Sequence, residues 1–226
     1  VFDEDRYFRP GIVCPVYVLN GVSVGLGICE DIWAPVGPIP VQRKAGAEVI
    51  VNINASPFHA GKGAERAELI STRAADNGLI IAYLNCIGGQ DELVFDGDSM
   101  VADSEGRMVA RGPAFEESLM TVDLDIDELL RSRSRESNQE KETPTNLQEI
   151  GESKTVHVSN HLPLDRKPLD RASPDGNLEP VEEVYRALVM GTRDYLVKSG
   201  FSKALIGLSG GIDSALTAAG AVEALG

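Results

Sequence analysis

Residues 208–214 read Leu-Ser-Gly-Gly-Ile-Asp-Ser, and no other stretch restricts the fold of this chain as tightly. An apolar run (204–208) precedes it, and an alanine-rich helical pattern from Asp213 to Ala224 follows. Gly210 and Gly211 let the backbone turn sharply at a strand's end and approach a ligand closely. The free N–H groups at the start of the following helix, aided by its dipole, form an anion site. Ser209 and Ser214 add hydroxyl donors, Ile212 lies between the glycines and the acid, and Asp213 can cap the helix or face a metal ion. A pyrophosphate fits such a turn. A Gly/Ser-rich strand-to-helix turn also occurs without any ligand, so the motif alone leaves both readings open. No Lys follows the glycines, which excludes a Walker-type phosphate loop.

The bulk properties set bounds. At 226 residues the chain holds one large or two modest domains. Apolar residues make up 42% and charged residues 25%, enough for a core and ordinary for a soluble protein. A formal net charge of −14 with no basic stripe argues against nucleic acid as partner. An anionic nucleotide must then be held by local donors and a metal. Cys14, Cys29 and Cys86 are an odd count at unrelated spacing. That speaks against a disulfide framework or a zinc site and fits a reducing, cytoplasmic setting. No apolar run reaches the length of a membrane span, and no signal peptide precedes the first strand.

Periodicity outlines an α/β layered domain with a mixed sheet. Strands are expected at 13–19 and 22–28, joined by the hairpin signal Asn20-Gly21. In the second, Val22, Val24, Leu26 and Ile28 alternate with Ser23, Gly25 and Gly27, so one face is apolar and the other small enough for close packing. A short helix (41–47), a strand (48–52), a long helix (64–77) and a strand (79–85) follow. A hairpin pattern covers 94–102 and 107–111, then a strand 119–124 and a helix 126–134. Periodicity fades from about 135 to 180, in a stretch rich in Glu, Ser, Asn, Lys and Pro that reads as a linker or arm. Helical spacing resumes at 179–198, then a strand at 204–208 opens a doubly wound domain.

Cys29 sits in Gly-Leu-Gly-Ile-Cys-Glu-Asp-Ile-Trp, residues 25–33. Alternation ends the strand at Ile28, which places the thiol at the carboxyl edge, where α/β sheets gather their active sites. Such a thiol can attack a carbonyl if its surroundings lower its pKa. An inert buried cysteine is the alternative reading.

The run around Cys29 resembles the nucleophile turn of the nitrilase superfamily, whose members cleave C–N bonds with a Glu-Lys-Cys triad on an α-β-β-α sandwich. Likeness extends to Asn54-Ala-Ser-Pro57, to His59-Ala-Gly-Lys62 with Arg66, to the run from Gly88 to Gly97, and to Val1-Phe-Asp-Glu4 with Arg6-Tyr-Phe8. These are similar to the glutamine-amidase branch fused to NAD⁺ synthetase, and the 208–214 string resembles the loop of ATP-pyrophosphatases. Both together, in that order, resemble the glutamine-dependent NAD⁺ synthetases. The resemblance implies the C-terminal half of a nitrilase-like sandwich at 1–135, a linker at 136–178 and the start of an ATP-binding domain at 179–226. Cys29 would be the nucleophile, Glu30, Ser56 and Lys62 would hold glutamine, and Ser209, Gly210, Gly211, Ile212, Asp213 and Ser214 would cradle ATP. ATP with Mg²⁺, glutamine and deamido-NAD⁺ would be the small molecules bound, in a homo-oligomer. His59 reads as a loop residue, and Cys14 and Cys86 as packing residues within strands. The family's catalytic Glu and Lys lie upstream of the match at Val1. The chain therefore reads as an internal segment of a longer enzyme, inactive alone. A stand-alone amidase and a non-catalytic binding scaffold are the alternatives.

Overall fold

The fold was derived from a computed structural model that describes residues 6–9, 11–136, 151–161, 167–169 and 178–226. The expected motif Val1-Phe-Asp-Glu4 and most of the 136–178 stretch lie outside these residues. A seven-stranded mixed sheet carries the fold, in the order β8-β7-β4-β3-β2-β1-β9. Strands β1 (Val13–Leu19) and β2 (Val22–Ile28) form the expected hairpin. Asn20 and Gly21 take φ of 51° and 88°, the twin left-handed pair that a two-residue turn of this hand requires. From β2 the sheet runs parallel into β3 (Val49–Asn54) and β4 (Ile80–Asn85). It then turns antiparallel through β7 (Met100–Ala102) and β8 (Met108–Arg111).

Helices α1 (Pro38–Lys44) and α2 (Lys62–Asn77) cross between the parallel strands and cover one face. Ile32, Ile39, Ile50, Ile70, Ala74, Ile81 and Tyr83 form the core beneath them. On this face the glycines of β2 admit close neighbours. A Cβ on Gly25 would lie 2.6 Å from Ile50 and 2.7 Å from Gln42, and one on Gly27 would lie 2.3 Å from Asn52 Oδ1. The opposite face is covered at its amino half by α3 (Ile126–Glu136) and by Met120, Val122 and Leu124. At its carboxyl half Leu26, Ile28, Ile53 and Leu84 stay exposed. Helices over a mixed sheet give the α/β layering expected from the sequence, and a second, smaller sheet stands among the described residues. The smaller sheet is a hairpin of β5 (Ile87–Gln90), a stretch to which periodicity assigns no element, and β6 (Leu93–Asp96), which it joins to the 94–102 strand.

Three expectations change. Residues 119–124 are not a strand: their alternation is real, but it seats Met120, Val122 and Leu124 on the sheet face without a backbone ladder. Within the presumed arm, β9 (Glu152–Ser159) pairs in parallel with β1 at the sheet edge. Its residues are mostly polar and exposed because an edge strand with one wet face needs little apolar patterning. Residues 204–208 form no strand, since no described strand lies alongside to complete their hydrogen bonds; Leu205 and Leu208 stand in solvent.

Helices α4 (Pro180–Lys198) and α5 (Ile212–Leu225) close the chain. Ala187 and Met190 of α4 pack with Phe58, Ile87, Val94 and Phe115 against the β5–β6 hairpin. No described helix is long and apolar enough to cross a membrane.

The contact of Gly27 with Asn52 yields a direct test. Gly27→Ala is expected to lower unfolding stability by about 1–3 kcal/mol, the usual cost of overpacking, read from the denaturant midpoint. Ser23→Ala on the same strand is expected to change it by under about 0.5 kcal/mol.

Candidate active site

Three carboxyl strand ends converge on Cys29. The residue follows β2 directly, opens a 3-10 turn (Cys29–Ile32) and has φ of 43°. A β-carbon makes that conformation costly, and such outliers gather where a side chain must be aimed. Several bonds hold the turn. Asp31 accepts the Ile28 N–H at 2.8 Å, and Arg73 of α2 donates to the carbonyls of Ile32 at 2.9 Å and Trp33 at 2.8 Å. From below, Asn52 Nδ2 donates to the Cys29 carbonyl at 3.3 Å and to Asn54 Oδ1 at 2.7 Å. Asn54 Nδ2 donates in turn to the carbonyls of Asn52 and Leu84, both at 2.8 Å.

This amide ladder continues to Ser56, which is buried just past β3. Its N–H donates to Asn85 Oδ1 at 2.9 Å, and Asn85 Nδ2 returns a bond to the Ser56 carbonyl at 3.3 Å. Tyr83 lies across from Asn52 in the register. Burial pushes its phenol up to about 12, against a smaller lowering by the Ser56 hydroxyl, and the field of Cys29 also reaches it. Asn52 Oδ1 is buried without a hydrogen-bond partner among the described residues.

Lys62 begins α2. Its Nζ lies 3.9 Å from the centre of the Trp33 ring and 3.3 Å from Glu65. A cation on an aromatic face is held electrostatically, which ties Lys62 to the turn that carries Cys29. Four residues on, Arg66 is fully buried and grips Asp96 through two bonds of 2.6 and 3.0 Å. Beside it Arg111 grips Asp98 at 2.5 and 2.7 Å. Burial raises the Asp98 carboxyl against the pull of Arg111.

The structure thus brings Cys29, Ser56 and Lys62 to one edge of the sheet. Glu30 lies exposed on the same turn. His59 stays a half-exposed loop residue, its ring 3.8 Å from Glu65. Cys14 is buried against Val41, as a packing residue should be, and burial raises its thiol. Cys86 departs from the packing expectation: it follows β4, and its residue surface is exposed. The three cysteines form no disulfide.

The supporting roles of Asn52, Asn54, Tyr83 and Asn85 escape a reading of motifs alone. One signal was available. In Val-Ile-Val-Asn-Ile-Asn, 49–54, amides stand at the inward parity of an otherwise apolar strand, and a buried amide is retained where it has bonds to make.

The 209–214 segment lies apart from this edge. Gly210 has φ of 86°, and the Ser209 and Ser214 hydroxyls face each other at 3.2 Å. Ser214 Oγ donates to the Gly211 carbonyl at 2.9 Å, and Gly211 N–H reaches Ser209 Oγ at 3.4 Å. The two hydroxyls hold the bend open. Gly210 and Gly211 are exposed, α5 starts at Ile212, and Asp213 is exposed in its first turn. No described group of three or more His, Cys, Asp or Glu could hold a metal by itself.

Residues 1–133 match the carbon-nitrogen hydrolase family. The chain belongs to that family. Residues 184–226 match the NAD synthase family. Over its whole length the chain is 45% identical to a glutamine-dependent NAD(+) synthetase of Thermotoga maritima, of which it covers 38%. The solved glutamine-dependent NAD⁺ synthetase from Acinetobacter baumannii, in complex with adenosine diphosphate, superposes with a TM-score of 0.75 at 34% identity. That match covers 100% of this chain and 36% of the other. A mutant of the amidase from Nesterenkonia sp. AN1, showing covalent addition of the acetamide moiety of fluoroacetamide at its active-site cysteine, matches 60% of this chain and 51% of its own at 28% identity and a TM-score of 0.50. The chain thus spans about two-fifths of the curated relative and a little over a third of the synthetase structure.

The buried pair offers a test of what holds α2 in place. Arg66→Met leaves Asp96 buried and unpaired and is expected to cost about 3–5 kcal/mol in denaturant unfolding. Arg66→Met with Asp96→Leu removes both charges and is expected to recover most of that loss.

Proposed function

We propose that the chain carries the nucleophile of a glutaminase and the ATP-phosphate loop of a glutamine-dependent NAD⁺ synthetase. Residues 1–135 supply the glutaminase part, 136–178 the connection and 179–226 the start of the ATP-binding part. One observation carries this reading. Cys29 is aimed by a left-handed turn into the edge where Ser56 and Lys62 also stand, and the same chain continues into an exposed Ser-Gly-Gly-Ile-Asp-Ser bend.

In the glutaminase step the Cys29 thiolate attacks the side-chain carboxamide carbon of glutamine. A proton reaches the departing nitrogen, the C–N bond breaks and ammonia leaves, with a thioester on Sγ. Water then cleaves the thioester to glutamate and the thiol. Lys62 faces the α-carboxylate of glutamine, where a cation is apt, while Glu30 and Ser56 supply further polar contacts. Turnover is assigned to the full-length protein, since the chain covers 38% of its Thermotoga maritima relative.

In the synthetase step the nicotinate carboxylate of deamido-NAD⁺ attacks the α-phosphorus of ATP and pyrophosphate departs. Ammonia then adds to the acyl carbon and AMP leaves, giving the amide of NAD⁺. Ser209, Gly210, Gly211, Ile212 and Ser214 surround the phosphates with backbone N–H and hydroxyl groups. Asp213 offers one exposed carboxylate, which suits a Mg²⁺ that takes most of its ligands from phosphates and water. An ion held there would supply charge neutralisation to the phosphates. Unbridged thiols and an acidic surface suit a cytoplasmic enzyme, which we expect to self-associate as a homo-oligomer.

In the full-length protein, Cys29→Ala is expected to lower glutamine-dependent NAD⁺ formation on the order of 10³-fold or more. Ammonia-dependent formation should persist in that variant. Asp213→Ala is expected to suppress both. Amidase turnover indifferent to Asp213→Ala would instead mark a stand-alone amidase, and binding without turnover would mark a scaffold.

A further inference from the structure

The sequence run from Gly88 to Gly97 has no part in the chemistry above, yet it is where the two halves of the chain meet. It forms the β5–β6 hairpin, and α4 lies against it at glycine-to-glycine distance. A Cβ on Gly89 would fall 3.3 Å from Gly191 Cα and 3.1 Å from Asp194 Cβ, and one on Gly191 would fall 3.0 Å from Val94. Only hydrogen side chains allow backbones to approach so closely.

Across this contact α4 sends three charged side chains onto main-chain groups of the glutaminase part. Asp194 Oδ2 accepts the Gly89 N–H at 2.6 Å. Lys198 Nζ donates to the Gly89 carbonyl and to Gln90 Oε1, the latter at 3.3 Å. Together they clamp both polar groups of a single peptide residue. At the other end of α4, Glu183 Oε2 accepts the Gly61 N–H at 3.3 Å. Gly61 has φ of 84° and is the residue from which α2, and Lys62 with it, begins.

The hairpin transmits the hold further. Gly89 pairs with Val94, and the Val94 carbonyl accepts the Phe58 N–H at 2.7 Å, two residues beyond Ser56. Phe58 stacks edge-on with Phe115 at 5.4 Å, inside the cluster that Ala187 and Met190 complete. At the end of β6, Asp96 grips Arg66 of α2. The single connection from β3 to α2 that brings Ser56 and Lys62 to Cys29 is therefore anchored on one hairpin and one helix.

We propose that Glu183, Asp194 and Lys198 are positioning residues for the glutamine site, supplied by the ATP-binding part of the chain and acting through the Gly61 turn and the β5–β6 hairpin on Lys62 and Ser56. This rests on the function proposed above. None of the three touches substrate. Burial alone would raise the Asp194 carboxyl; the Gly89 N–H, Arg193 and Lys198 outweigh it and hold the group below its usual range, which fits a carboxylate engaged as an acceptor. The same helix reaches α5, whose amino end carries the phosphate bend, through the Tyr185 hydroxyl donating to Glu223 at 2.8 Å. The anchoring helix thus contacts the helix that follows the ATP loop, near the far end of that helix.

The test uses the full-length protein with Asp194→Asn, Asp194→Ala, Lys198→Met and Glu183→Gln, and measures glutamine-dependent and ammonia-dependent NAD⁺ formation side by side. Asp194→Ala is expected to raise the KM for glutamine about tenfold, with kcat within about twofold and ammonia-dependent formation unchanged. Lys198→Met and Glu183→Gln should raise the KM by smaller factors, and Asp194→Asn, which keeps the volume and an acceptor oxygen, should fall between. An unchanged KM in all four overturns the proposal. So does a loss of both activities in step with a lower melting temperature, since that marks a merely structural contact. If wild type makes no NAD⁺ from glutamine, or Cys29→Ala still does, the functional reading itself fails. Wild-type activity lost in Cys29→Ala but untouched in the α4 variants refutes the positioning role alone.

Discussion

Everything at the proposed catalytic edge depends on how closely β3 approaches β2. Gly27 has no side chain, so Asn52 can lie against the strand with its oxygen where a β-carbon would be. From there its amide reaches the Cys29 carbonyl. That bond, with Asp31 and Arg73 holding the rest of the turn, keeps Cys29 in a left-handed conformation that most residues avoid. The proposed nucleophile is aimed by backbone geometry, and a buried amide supports that geometry. Asn54 and Asn85 extend the support to Ser56, so the thiol and one of its proposed substrate contacts share a single hydrogen-bonded floor. A floor of amides suits this place because it stays neutral at every pH.

Charge is used differently at the start of α2. Arg66 and Asp96 are buried together, an arrangement that adds little net stability against an apolar pair but penalises any structure that separates them. The pair therefore specifies where the helix begins. Lys62, one turn earlier, inherits that position, and Trp33 receives its cation. The β6 strand that bears Asp96 also belongs to the hairpin on which α4 rests, so the energetics of the buried pair and the docking of the second part of the chain converge on one ribbon.

Much of this was legible from residues alone. Asn20-Gly21 announced a hairpin, and the Gly-x-Gly alternation of β2 announced a close neighbour, because both depend on local backbone freedom. The end of alternation at Ile28 placed Cys29 at the carboxyl edge. Other features were hidden for physical reasons. Residues 119–124 alternate because they lie on a sheet, and alternation reports burial on one side whether or not a ladder forms. Strand β9 has its polar residues in water and its order from β1, so its pattern is silent. The 204–208 run has every mark of a buried parallel strand, yet a strand exists only beside its neighbours. The amide floor could be read only as an anomaly of parity in β3, since its bonds run between residues far apart in the chain.

The most direct test of the account is peptide-level mass spectrometry of the full-length protein, acid-quenched during turnover with glutamine. If a backbone-aimed thiol performs the chemistry, a glutamyl increment will appear on the peptide carrying Cys29 and on no other, and will vanish when glutamine is exhausted. Steady turnover with that peptide unmodified, or the increment on the Cys86 peptide instead, would contradict the account.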